Sequence, residues 1–136
     1  LGERMRRCLE ELLAEGYGKA MIVGSDAPTM PFAQIDEAAA ALDSEEVVLA
    51  PSEDGGFTLI GATRVAVAMF RGVTWSRADT REACLAAVEA AGLRVAETHA
   101  TGYDVDTLPD FRRLSRDPGL PTSLETWLIP YRQSQS

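Results

Sequence analysis

The sequence predicts an α/β domain, a three-layer α/β/α sandwich built on a mostly parallel sheet. Three observations lead there. Ala20–Val23, Val47–Ala50 and Phe57–Ile60 are apolar runs too short for helices. Each is closed by Gly or Pro or by a Gly-rich loop, which marks a buried strand. Longer stretches with helical spacing of apolar residues separate or flank them. The alternation of the two patterns is the signature of helices layered on a sheet. The chain has 136 residues, the length of one domain with one core, and contains no internal repeat, low-complexity tract or linker.

Taken in order, residues 1–15 form an amphipathic helix. Met5, Leu9, Leu12 and Leu13 lie on one side, and Gly16 and Gly18 stop it. The strand 20–23 follows and ends at Gly24. Pro31 opens a helix that runs to Leu42, with a small-residue face of Ala38 and Ala39. A strand at 47–50 is closed by Pro51, and one at 57–60 is closed by Gly61. Residues 65–70 read as a turn or two of helix, and 73–75 as a brief extended piece. A helix over 77–91 carries Cys84, Leu85 and Val88 inward, with Gly92 as its C-cap. Leu93–Glu97 reads as a strand. Tyr103–Thr107 is extended, Thr107 is a candidate N-cap, and Pro109 opens a helix to Leu114. A last helix spans 122–131, and residues 133–136 read as a frayed end.

The formal net charge is −8, which argues against nucleic acid as a partner, because phosphate binding needs a basic face. Two cysteines without metal spacing fit buried or half-buried thiols in a reducing, cytoplasmic compartment. No apolar run reaches membrane-spanning length, so no membrane partner is expected. P-loop, GxGxxG, CxxC, HExxH and GxSxG motifs are absent.

Three constellations carry possible chemistry. Ser25 and Asp26 sit at the carboxyl end of a strand, where α/β sheets place ligands. In an extended segment, Asp104 and Asp106 point to one side. Asp26, Asp104 and Asp106 together suit Mg²⁺ or Mn²⁺, which favour oxygen ligands. Each could instead cap a turn or a helix. Glu53-Asp54-Gly55-Gly56 offers acids for an acceptor hydroxyl or for general-base work. The same residues also make an ordinary hairpin loop. Trp75 could form a flat platform for a sugar or a base, with Ser76 capping the next helix; a core indole with an N-cap is the alternative. Trp127 reads as packing, and His99 has no second ligand type near it.

Four motifs occur together: Leu-Gly-Glu-Arg-Met at 1–5, Val-Gly-Ser-Asp-Ala-Pro at 23–28, Glu-Asp-Gly-Gly-Phe-Thr-Leu-Ile-Gly at 53–61, and Trp75-Ser76 followed by Asp104-Val-Asp-Thr. In this order they resemble the DUF2064 family of glycosyltransferase-like proteins. The resemblance implies a GT-A, or nucleotide-diphospho-sugar transferase, fold. Asp26 would be the metal and nucleotide-sugar aspartate, and Asp106, with Asp104 beside it, the second metal ligand. Gly55, Gly56 and Phe57 would face the acceptor pocket, Phe57 standing where the family more often has Tyr. Residues 1–136 would form one such domain, shortened at its front. It would lack the usual N-terminal strand and the nucleotide-binding loop.

The reading that follows is metal-dependent transfer of a sugar from a nucleotide-sugar to a small hydroxyl acceptor. Glu53 or Asp54 would serve as the acceptor-side acid. Two alternatives stand beside it. One is nucleotidyl transfer on the same fold. The other is a non-catalytic, shortened domain that forms a homodimer through an open sheet edge.

Overall fold

The computed structural model describes residues 1–133. Its elements are α1 (Gly2–Ala14), β1 (Ala20–Val23), α2 (Phe32–Ala41), β2 (Val47–Pro51), β3 (Phe57–Ala62), α3 (Thr80–Ala90), β4 (Val95–Glu97), α4 (Leu108–Leu114) and α5 (Thr122–Gln133). Of the end expected to fray, residues 134–136 lie outside the described residues.

The sheet corrects the sequence-based expectation of a mostly parallel arrangement. Its order is β1-β3-β2-β4, and it is mixed. β3 runs antiparallel to both β1 and β2, while β2 and β4 are parallel. The reason is the length of one connection. Only residues 52–56 separate β2 from β3, and a parallel crossover needs a dozen or more. The two strands therefore close as a hairpin, with a register shift at Ala50/Pro51. β1, β2 and β4 still point in the same direction, since β3 is antiparallel to β1 and β2 and β4 is parallel to β2. Their carboxyl ends share one edge of the sheet.

Side chains alternate along the central strands and fill two cores. Val47, Leu49, Ile60 and Ala62 pack with Leu9 of α1 and with Cys84 and Val88 of α3. Val48, Ala50 and Leu59 pack with Ala38 and Leu42 on the α2 side. Gly61 is not a strand terminator. It lies inside β3, where a Cβ would come within about 3 Å of Met21, Val48 and Leu42, so the close approach of the α2 side keeps it glycine. A third, separate cluster joins Leu114, Leu120 and Leu128 near α4 and α5.

Other local departures are small. Residues 67–72 form turns where a turn or two of helix over 65–70 is expected, and 73–75 form no strand. Cys84 is buried, and burial pushes its thiol up to about 12. Cys8 is exposed, unlike the expectation, because it falls on the outer side of α1. Among the described residues, no helix is long and apolar enough to cross a membrane.

Candidate active site

A cavity of about 450 Å³ opens at the shared carboxyl edge of β1 and β2. Its wall brings together nine residues that the sequence had singled out: Ser25, Asp26, Asp54, Gly56, Phe57, Trp75, Ser76, Asp104 and Asp106. They come from four separate stretches of chain. Backbone hydrogen bonds draw those stretches together. Gly24 N donates to Thr58 O (2.8 Å), and Val105 N donates to Asp26 O (2.9 Å). Glu53 N donates to Gly102 O (2.9 Å), and Gly102 N to Pro51 O (2.8 Å). Segment 102–106 is thus laced to both the β1 end and the hairpin loop. Gly24 matters because a Cβ there would lie 2.8 Å from Asp26 Oδ1. Its absence lets the carboxylate sit back against the strand end.

The acid side of the cavity is electrostatically crowded. Burial raises the Asp104 carboxyl above the usual carboxylate range, and the negative charges of Asp26, Asp54 and Asp106 add to this. One hydrogen bond, from Ser52 Oγ to Asp104 Oδ2 at 2.7 Å, works the other way. Neither Asp104 nor Asp106 is a side-chain cap for α4. That role belongs to Thr107 and Asp110, which form a reciprocal capping box. Asp54 accepts from Gly56 N at 2.8 Å within the hairpin loop and still faces the cavity.

The donor set is all carboxylate oxygen, which suits a hard divalent cation such as Mg²⁺ or Mn²⁺. Among the described residues, no three His, Cys, Asp or Glu side chains are grouped tightly enough to hold a metal ion by themselves. Such ions commonly take one or two carboxylates and complete their shell with water and substrate phosphates. The residues fit an ion shared with a bound ligand rather than a closed protein cage.

The opposite character comes from apolar and aromatic groups. Leu1, Met5, Ile22, Phe57 and Trp75 line the cavity. Trp75 meets Phe57 edge-on at 6.3 Å between ring centroids and Phe70 at 5.6 Å. Its ring is therefore fixed, half-buried, with part of it open to the cavity. Ser76 does not cap the next helix as expected, because α3 begins only at Thr80. It adopts φ +59° instead, the one non-glycine with positive φ among the described residues. Left-handed backbone at such a residue costs about 1–2 kcal/mol and is often kept at functional sites.

Two predicted residues stay outside the cavity wall. Glu53, expected as a catalytic acid, is held by Arg113 in a two-pronged ion pair (2.5 and 2.8 Å), which lowers its carboxyl below the usual range. Arg113 also lies 3.8 Å over the Tyr103 ring. Glu53 thus clamps the hairpin loop to α4. Gly55 faces α3: its carbonyl accepts from Arg81 N at 2.9 Å. The sequence reading missed Ser52, Thr58, Arg77 and Thr80. Ser52 and Arg77 directly adjoin recognised motifs, which was the available signal; Thr80 looks like any helix-start threonine.

Fold and site define an α/β protein with an acidic, aromatic-walled pocket at a sheet edge. The chain is similar to the crystal structure of a "putative nucleotide-diphospho-sugar transferase" from Desulfovibrio desulfuricans G20, with TM-score 0.76 and 30% identity. The match covers 85% of this chain and 51% of that one, so the chain spans about half the length of that structure. Residues 1–77 match the DUF2064 family, described as "Uncharacterized protein conserved in bacteria", and the chain belongs to that family. No curated protein matches it.

Proposed function

We propose that the protein transfers a sugar from a nucleotide-sugar to a small hydroxyl acceptor, with a divalent metal. The observation that carries this reading is the convergence of four aspartates and an aromatic wall in one cavity. The similarity to the "putative nucleotide-diphospho-sugar transferase" of Desulfovibrio desulfuricans G20 supports it. Asp26, Asp104 and Asp106 would hold Mg²⁺ or Mn²⁺ together with the donor's diphosphate. The ion would neutralise the charge of the diphosphate as it leaves. Trp75, Phe57 and Gly56 would bound the acceptor side, with Ser25 and Ser76 donating to hydroxyls. Asp54, not Glu53, would orient the acceptor hydroxyl and take its proton as the oxygen attacks the sugar carbon. Glu53 is already neutralised by Arg113.

Calorimetric titration of UDP-, GDP- and dTDP-sugars, and of CTP and GTP, with and without Mn²⁺, tests this. One nucleotide-sugar should bind only with metal, and the Asp26→Ala, Asp106→Ala double variant should not bind it. Binding of a bare nucleoside triphosphate instead would favour nucleotidyl transfer. A non-catalytic dimer has one observation in its favour: β1 lies at the sheet edge with Val23 exposed. A folded dimer that binds no nucleotide would favour that reading.

A further inference from the structure

Among the described residues, those lining the cavity include five that carry charge: Asp26, Asp54, Asp104, Asp106 and Arg77. The placement of Arg77 is built with some care. Ser76, just before it, holds the left-handed backbone described above. The buried hydroxyl of Thr80 fixes that turn. It accepts from Arg77 N at 3.0 Å and donates to Thr74 O at 2.9 Å, while Thr80 N donates to Arg77 O at 3.1 Å. The turn is also locked to the acidic hairpin loop. Gly55 O receives Arg81 N, and a Cβ on Gly55 would lie 1.9 Å from Ala78 O. Arg77 and Asp54 therefore sit on two loops with little freedom to move apart.

The side-chain partner of Arg77 is Asp79, 3.1 Å away, and both are largely exposed. Such a pair in water contributes little. The guanidinium can exchange Asp79 for a ligand at small cost. A neutral acceptor would have no use for this cation. An anionic one would be repelled by four aspartates unless a cation met it.

We infer that the site takes an acceptor bearing an anionic group, a phosphate or carboxylate, which pairs with Arg77 while its hydroxyl reaches Asp54. This rests on the transferase reading above. The anion could also come from the donor's diphosphate, and the test separates the two.

The chain has two tryptophans, Trp75 and Trp127. In a Trp127→Phe background, Trp75 alone reports on the cavity. The probes are glycerol 3-phosphate, glycerate and neutral glycerol, followed by Trp75 fluorescence in phosphate-free buffer. UDP with Mn²⁺ is titrated in parallel by calorimetry. The two anions should bind at least about tenfold more tightly than glycerol, the range expected of a charge-assisted contact. Arg77→Gln should abolish that preference, and Arg77→Lys should keep part of it. Arg77→Gln should leave Mn²⁺–UDP binding unchanged. Equal binding of all three probes, no binding of any, or indifference to Arg77→Gln overturns the inference. A loss confined to Mn²⁺–UDP overturns it too, and assigns Arg77 to the donor. If wild type fails to bind Mn²⁺–UDP or any nucleotide-sugar but keeps the Arg77-dependent anion preference, the transferase reading falls and the anion site stands.

Discussion

Gly55 shows how much one residue can decide. Its φ is +87°, and an added Cβ would lie 1.9 Å from Ala78 O, so backbone itself would have to move to admit it. Gly55→Ala combines a forbidden conformation with a backbone clash, so it should destabilise by more than about 2 kcal/mol. Thermal unfolding would register this as a drop of several degrees. The same variant should weaken ligand binding, because the clash pushes the Asp54 loop away from the Trp75–Arg77 turn. An unchanged melting temperature would contradict the geometry. Glu53 teaches a different lesson at this scale. Its type and position suggest catalysis, yet Arg113, sixty residues later, claims it. A sequence window around residue 53 contains no trace of that partner.

Among the elements, α4 shows local chemistry at its most legible. Thr107 and Asp110 satisfy each other's backbone N–H, and proline sits in the first turn. Thr107→Ala should cost about 1 kcal/mol, measurable by chemical denaturation. It should also loosen the Asp104–Asp106 segment just before the cap, and so lower affinity for Mn²⁺ with nucleotide. α3 was less legible. The helical spacing of apolar residues extends back to Arg77, but the first residues are spent on the Ser76 turn and the helix begins at Thr80. Periodicity marks which face is apolar and cannot mark where a loop takes over. The hairpin is legible in residues 52–56, and the length of that loop decides how its strands pair. Five residues between two strands exclude a parallel crossover, and that count alone argues against a mostly parallel sheet.

At the scale of the whole molecule, the cavity is a property of the topology. β1, β2 and β4 deliver Asp26, Asp54 and the Asp104–Asp106 segment to one edge because they run in one direction. Crowding them has a thermodynamic cost that pH exposes. The Asp104 carboxyl is raised in the fold, by burial first and then by its acidic neighbours. A raised carboxyl favours the folded state while it is protonated. That advantage is complete below the ordinary value of 3.8 and is lost as pH rises through the raised folded value. Above it, the ionised group is a net penalty. Asp104→Asn should therefore be more stable than wild type at pH 7, and the difference should close near pH 3. Mn²⁺ should raise the melting temperature of wild type at pH 7 and leave Asp104→Asn nearly unchanged. A variant no more stable than wild type at neutral pH would show that the crowding carries no penalty.

By itself the sequence determined that the fold is α/β, the three principal strands, most helix boundaries to within a few residues, and the chemical type of the acidic and aromatic residues that line the cavity. Apolar spacing, glycine, proline and capping residues act over a few positions, so a linear reading captures them. Only the tertiary structure decided the place of β3 between β1 and β2, the removal of Glu53 by Arg113, and the gathering of four aspartates and Arg77 around one cavity. Those outcomes depend on contacts between residues far apart in the chain. Their energies come from pairing, burial and charge in three dimensions, which no local pattern records.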